Sequence, residues 1–291
     1  MRGASSSALS IAVSSLINVN HRHRSLSTVR LKTLEFDRYR NNPVKYWNDF
    51  YKRHQNKVFC FVLFVCLQFF KDRHYLEKDW GQYFCAEIEL PKVVLEVGCG
   101  VGNSVFPLLK TYPNIFVHAC DLSSNAIDAI QSHADFRMDQ VNPFVCDVTS
   151  QNLSDKIVPS SVDIVTLIFT LSAVSPEKMP MMLQNLVEVL KPNGYVLLRD
   201  YAVGDFSQVK LHEKNQMIDE NFYARGDGTC SFYFSEESLS NLFTKAGFKT
   251  VSLDIYSRQI MNRSKNITMN RHWIRAIFRR SVSSIPNSPT A

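Results

Sequence analysis

Lys92-Val93-Val94-Leu95-Glu96-Val97-Gly98-Cys99-Gly100-Val101-Gly102-Asn103, running on into Ser104-Val105-Phe106-Pro107-Leu108-Leu109, decides the fold. A short apolar run enters a glycine turn and leaves as a helix with apolar residues at Val105, Phe106, Leu108 and Leu109. Strand, glycine turn and helix in that order make the first unit of a nucleotide-binding sheet, because glycines let the backbone approach a ligand closely. Gly98, Gly100 and Gly102 are therefore candidate cofactor-binding positions. Their spacing is E-x-G-x-G-x-G. A dinucleotide fingerprint would place its third glycine at Asn103, which argues against a nicotinamide or flavin enzyme.

Further strands follow. Residues 115–120 form a second apolar run that ends at Asp121, where a carboxylate can take both hydroxyls of a ribose. A third, around residues 144–146, ends at Asp147, placed to accept from an adenine amino group, with the Val148 amide beside it. A fourth, residues 162–169, is apolar on both faces, as a central parallel strand should be. Each carboxylate alone is more often a turn or cap residue, and Asp121 precedes Ser123-Ser124, a candidate cap for a helix over residues 126–130. Three strands ending in a glycine loop, Asp and Asp are hard to ascribe to capping. Residues 179–190 read as a helix, 191–194 as a turn and 195–200 as strand five. Residues 235–246 form a helix capped by Ser235 and ended by Gly247. Residues 248–256 and 272–278 read as a closing antiparallel hairpin. The fold class is α/β: a Rossmann-like, mostly parallel seven-stranded sheet with helices on both faces and an N-terminal cap segment.

The 291 residues, 45% hydrophobic and 21% charged, suit one large domain with appendages and exclude a wholly disordered or coiled-coil chain. Seven scattered cysteines with no C-x-x-C pair indicate neither a disulfide framework nor a zinc site, so no metal is expected. The net charge of +6 divides unevenly: +5 over residues 1–34, +3 over 35–80, −9 over 81–254 and +7 over 255–291. An acidic centre between basic flanks suits a domain that binds a small cationic ligand while its edges hold a polyanion. The alternative is a targeting peptide plus a solvated tail.

Residues 1–34, with eight Ser, five Lys/Arg and no acid, have the composition of an organellar transit peptide, and a mitochondrial location is expected. A plastid and a disordered cytoplasmic tail remain alternatives. Residues 35–90 read as a basic cap, 91–280 as the nucleotide-binding domain and 281–291 as a Ser/Pro tail. Within the cap, VFCFVLFVCLQ (residues 58–68) interrupts a polar-aromatic segment. The low-charge stretch is 13 residues long, short of the roughly 20 a membrane span needs, so no membrane contact is expected. It reads as a buried strand or, better, as a retained in-frame intron. Val codons begin with GT and Gln can be encoded by CAG, and deleting the 11 residues restores NKFFKDRHYLEKDW.

With EVGCGVGN, ACDLSSNAI, CDVT, LIFTLSAVSPEKM, VLKPNGYVLLRDY and ENFYARGDGTCSFYFS, the sequence resembles the class I S-adenosylmethionine-dependent methyltransferases. More narrowly, NPVKYWNDFYKRH, FFKDRHYLEKDW and ENFY-x-R-x-DGT-x-S look like the methyltransferase-like family that makes 3-methylcytidine in the anticodon loop of tRNA, at cytidine 32. The resemblance spans about residues 41–280. It implies S-adenosylmethionine as cofactor, with Gly98 and its loop along the methionine part, Asp121 on the ribose, Asp147 and Val148 on the adenine, and Ile168 facing the cofactor. It implies too that Trp47 and Tyr51, i to i+4 on one helical face, close over the cofactor; from the sequence alone they read equally as a hydrophobic seam. The insertion departs from the family pattern and puts closure and tRNA docking in question.

Cytosine N3 carries a lone pair, so attack on a sulfonium methyl needs alignment and base extrusion rather than a general base. Asp200, after strand five, is the candidate catalytic group, stabilising the cationic product; the alternative is a structural salt bridge with Arg199. Arg53, Lys71, Arg73 and Arg271 are candidate tRNA contacts, in basic runs where aromatics can stack on unpaired bases, and Arg225 of the ARGDGT loop is a further one that could equally meet cofactor-side residues. A synthetase or another protein could present the tRNA. Two rivals stay open: a methyltransferase acting on a small molecule or protein, and a tRNA-binding isoform disabled by the insertion.

Overall fold

A computed structural model describes residues 37–59, 72–85, 91–263 and 266–281. The chain divides at Asn42 into two units. Of the first, residues 37–42 are described, and Asn42 Nδ2 donates to the Arg38 carbonyl there. The second carries everything below. The transit-peptide segment, Lys71, residues 60–68 of the insertion and the Ser/Pro tail beyond residue 281 lie outside the described residues.

In chain order the second unit runs through α1 (Pro43–Phe59), α2 (Tyr75–Phe84), β1 (Lys92–Val97), α3 (Val105–Thr111), β2 (Ile115–Asp121), α4 (Ser124–Gln131), β3 (Val141–Val145), β4 (Val162–Ile168), α5 (Met179–Val189) and β5 (Leu190–Tyr201). It continues through α6 (Phe206–Glu213), β6 (Met217–Asp219), β7 (Phe222–Ala224), β8 (Cys230–Phe232), α7 (Glu236–Lys245), β9 (Phe248–Asn262) and β10 (Ile267–Arg280). Seven strands form one sheet in the order β3-β2-β1-β4-β5-β10-β9. The first five are parallel, and β10 enters antiparallel to β5 and to β9. The strand order reverses between β1 and β4, where open α/β sheets hold their ligands at the carboxyl ends of the strands.

Alternation along the strands fills both faces. Leu95 and Val97 of β1 join Leu183, Leu186, Leu239 and Phe278 in one core, while Val94 joins Leu76, Trp80, Phe84 and Leu108 on the other. Phe243 of α7 stacks on Phe278 of β10 with centroids 3.7 Å apart. The Ser235 cap forms as expected, reciprocally with Ser238.

Several boundaries differ from the sequence reading. β5 starts at Leu190, through the residues read as a turn, and a left-handed Asn193 (φ 65°) takes up the kink. Strands β9 and β10 are far longer than expected, and only Trp273–Arg279 of β10 pair with β5, so residues 257–262 and 267–272 run on as a two-stranded ribbon. Ser123 occupies the N-cap of α4 but makes no side-chain cap bond; its hydroxyl is turned to Asn48, to which it donates. The ENFYARGDGT segment carries β7 and the turns that join it to β6 and β8 in a small antiparallel sheet.

Candidate active site

The glycine loop leaves β1 with its backbone turned into the sheet edge. Gly98 N and Cys99 N both donate to the Cys120 carbonyl at the end of β2. Asp121 is buried there, its Oδ2 accepting from Gly100 N and its Oδ1 from Ser123 N, each at 2.9 Å. Burial pushes its carboxyl up to about 6, against the pull of the backbone N–H groups of Ser123, Gly100 and Leu122. Each oxygen keeps a lone pair for a further donor, which is what a vicinal diol needs.

Glu96 lies one strand position before the turn and is 3% exposed, and its Oε2 has no hydrogen-bond partner. Burial is the largest influence on it and raises it to about 8; a hydrogen bond from Ser104 and the charge of Arg73 act the other way. An orphaned carboxyl oxygen at the mouth of a glycine loop calls for a cation. An amino-acid ammonium and a ribose diol thus find acceptors at Glu96 and Asp121, and the residues present fit S-adenosylmethionine. Asp147 accepts from Thr149 N and Oγ1 through Oδ1, so its other oxygen stays available, and Val148 is buried beside it. Ile168 ends β4 at 8% exposure.

Helix α1 lies across this loop. Asn48 Oδ1 accepts from Ser123 Oγ at 2.6 Å and its carbonyl accepts from Asn125 Nδ2 at 3.1 Å, fixing α1 to α4. Trp47, Phe50 and Tyr51 pack together and against Ala126 and Val101. Gly100, at φ +55°, is required by this contact: a Cβ there would sit 2.9 Å from the Tyr51 hydroxyl. Burial, then the Asp121 charge, raises the Tyr51 phenol well above its ordinary range, so it stays neutral. Another face of the same stretch of α1 meets the loop between β7 and β8, with Arg53 Nη2 donating to the Asp227 carbonyl at 3.3 Å and Tyr46 packed on Gly228.

The neighbouring strand ends carry an aromatic patch. Phe169 follows β4 with φ 57°, a strained conformation for a bulky side chain, and its N–H donates to the Arg199 carbonyl. Its ring lies 4.9 Å from Tyr201, which is 5.6 Å from Tyr233. Arg73 stands 5.2 Å over Phe169 and Arg225 stands 5.3 Å over Tyr201. Asp200 is fully buried, accepting from Ser172 N and Tyr201 N. Burial raises it to about 6, opposed by its hydrogen bonds and by Arg225. It therefore supports the patch from below and presents no carboxylate to solvent. Its neighbour Arg199 pairs with Asp79 on the opposite face of the sheet.

Of the other basic candidates, Arg271 commits its Nε to the buried Asp205 at 2.8 Å and lies directly across the ribbon from Arg258. Asp205 offsets the Arg271 charge, which lets the two arginines stand in register. Sequence reasoning assigned no role to Glu96, Phe169 or Tyr201. An acid inside an apolar strand was the available signal for the first; the others needed the strand ends to be assembled. No described helix is long and apolar enough to cross a membrane.

Comparison with known proteins places this geometry. A methyltransferase-domain family matches residues 69–253. The tRNA N(3)-methylcytidine methyltransferase trm141 of Schizosaccharomyces pombe is 38% identical over 253 residues, 86% of this chain and 98% of that protein. The tRNA N(3)-cytidine methyltransferase METTL6 of Homo sapiens is 39% identical over 236 residues, 80% of this chain and 79% of that one. Among solved structures, an S-adenosylmethionine-dependent methyltransferase from Anabaena variabilis superposes with a TM-score of 0.59 at 16% identity, over 82% of this chain and 95% of its own. One from Methanosarcina mazei gives 0.53 at 18% identity, over 67% and 95%. These two establish the fold alone.

Proposed function

The chain belongs to the tRNA N(3)-methylcytidine methyltransferase family, and from that premise we propose that it transfers a methyl group from S-adenosylmethionine to N3 of a cytidine in the tRNA anticodon loop, at position 32. The observation that carries the reading is the meeting of two polar acceptors, Glu96 and Asp121, with the Phe169–Tyr201 patch at adjacent strand ends.

Bound S-adenosylmethionine supplies an electrophilic methyl on a sulfonium. Glu96 would receive the ammonium and Asp121 the ribose hydroxyls, with Asp147 and Val148 beside the adenine and Trp47 and Tyr51 of α1 over the site. Cytosine N3 needs no general base, so what remains is to hold the base in line and exclude water. Phe169 and Tyr201 border the place of an extruded base, and Arg73 and Arg225, planar cations standing over those rings, offer it stacking and hydrogen-bonding surfaces. Asp200 acts as a positioning residue for Tyr201 and Arg225, and its negative charge favours the cationic product.

Arg258, across the ribbon from the Asp205-paired Arg271, and Arg53 of α1 offer positive charge to tRNA phosphates. Both described flanks of the apolar insertion are seated, α1 on the glycine loop and α2 in the core, which supports an active chain. Residues 1–34 direct the protein to the mitochondrion, which a fusion of that segment to a fluorescent reporter checks. A methyl on N3 blocks Watson–Crick pairing, so reverse transcription of treated tRNA should arrest at the anticodon-loop cytidine. Arrest elsewhere, or nowhere, would overturn the proposal.

A further inference from the structure

We propose that Asp79 is a positioning residue for methyl transfer, a clasp that sets α2 so that Arg73 stands over Phe169. The inference rests on the function proposed above. Asp79 Oδ2 meets Arg199 Nη1 at 2.8 Å and Oδ1 meets Arg275 Nη1 at 3.1 Å, so one carboxylate ties α2 to both β5 and β10. The Asp79 and Arg199 side chains are each 9% exposed, which shields the pair from solvent. Arg275 is held in turn by Asp254 at 2.6 Å. Arg199 is boxed by aromatics, its guanidinium 4.1 Å over Tyr75, 5.3 Å over Tyr256 and 5.6 Å over Trp273.

The backbone makes this clasp consequential. Trp80 has φ −144° and ψ 16°, so α2 is kinked immediately after Asp79. The turn before the kink has one fully buried apolar anchor, Leu76, and depends on the Asp79 fork and the Tyr75–Arg199 stack for its orientation. That turn leads back to Arg73, whose N–H donates to the Asn103 carbonyl beside the glycine loop and whose guanidinium covers Phe169. The Arg199 carbonyl also receives the Phe169 N–H. One residue of β5 therefore fixes both Phe169, through its backbone, and Arg73, through Asp79 and α2.

The test is a steady-state series on the full chain: wild type, Asp79→Asn, Asp79→Glu, Arg73→Ala and the Asp79→Asn/Arg73→Ala pair, scored as 3-methylcytidine formed in tRNA. S-adenosylhomocysteine affinity and melting temperature are read alongside, because the cofactor acceptors lie on β1 and β2. Asp79→Asn should lower kcat/KM for tRNA at least about tenfold, while S-adenosylhomocysteine affinity falls no further than in Arg73→Ala, since the Arg73 charge acts on Glu96. Asp79→Glu, which keeps the charge, should recover most of the loss. In the Arg73→Ala background Asp79→Asn should add little, since both act on one contact. Unchanged kcat/KM in Asp79→Asn, a loss of cofactor affinity larger than that of Arg73→Ala, or multiplicative effects in the pair would overturn the inference alone. Absence of 3-methylcytidine with the wild-type chain would overturn the proposed function as well.

Discussion

Replacing Glu96 by Gln should convert a pH-dependent cofactor site into a weaker one that no longer senses pH. The buried carboxyl has its orphaned Oε2 at the glycine loop and titrates at about 8 rather than its ordinary 4.5. An ammonium needs the carboxylate, so at pH 7 roughly 0.9 proton should leave for each ligand bound. Affinity for S-adenosylhomocysteine should climb about eightfold from pH 7 to 8.5 by the same arithmetic. Asp121 titrates at about 6, so this window reports on Glu96. In Glu96→Gln the slope and the proton release should vanish, and at pH 8.5 affinity should fall by about 1.5–3 kcal/mol, the strength of a charged hydrogen bond. Stability moves the other way. A folded-state value raised above the unfolded one favours the protein at low pH, and that support is lost as pH rises from 4.5 through about 8. The ligand-free Gln variant should therefore be the more stable at pH 8.5, by up to about 5 kcal/mol if the carboxyl must ionise in place. Calorimetry in buffers of different ionisation enthalpy, with melts at each pH, reads all of these. A flat wild-type profile without proton release, or unaltered binding by Glu96→Gln, would refute the assignment.

Gly228→Ala would put a Cβ 2.2 Å from Tyr46 Cδ1 at a φ of +87°, so it should expel Tyr46 and cost about 1–3 kcal/mol in thermal unfolding. Its kcat/KM for tRNA should fall, because α1 loses its seat on the loop between β7 and β8. Asp200→Asn should keep the fold but lower kcat about tenfold or more, read under saturating cofactor and tRNA; full turnover would remove Asp200 from the account. Phe243→Ala, which removes the 3.7 Å stack on Phe278 far from the site, should cost about 3–5 kcal/mol in denaturant unfolding without changing cofactor affinity below its melting temperature.

The strand that enters the glycine loop, and Asp121 at the end of β2, were readable in sequence because each is a local pattern: an apolar run, a turn, a helix. The long reach of β9 and β10 was not, since residues 257–272 alternate little and the strands are held by each other rather than by a buried face. Lys191-Pro192-Asn193-Gly194 has the composition of a turn, yet it continues β5 because Leu190 pairs with Val162 across the kink. Ser123 has the right identity for a cap, but Asn48, 75 residues earlier, captures its hydroxyl. Glu96, Phe169 and Asp79 share this property. Their roles arise from an absent partner, a strained φ and two distant arginines, none of which a linear motif records.

The most direct test of the central claim is methyl transfer from labelled S-adenosylmethionine to total tRNA by the full chain, followed by digestion to nucleosides. The account predicts label in 3-methylcytidine from this chain, and from the form lacking residues 58–68. Label in another nucleoside, or none in tRNA while a small molecule or protein takes up the methyl, would contradict it.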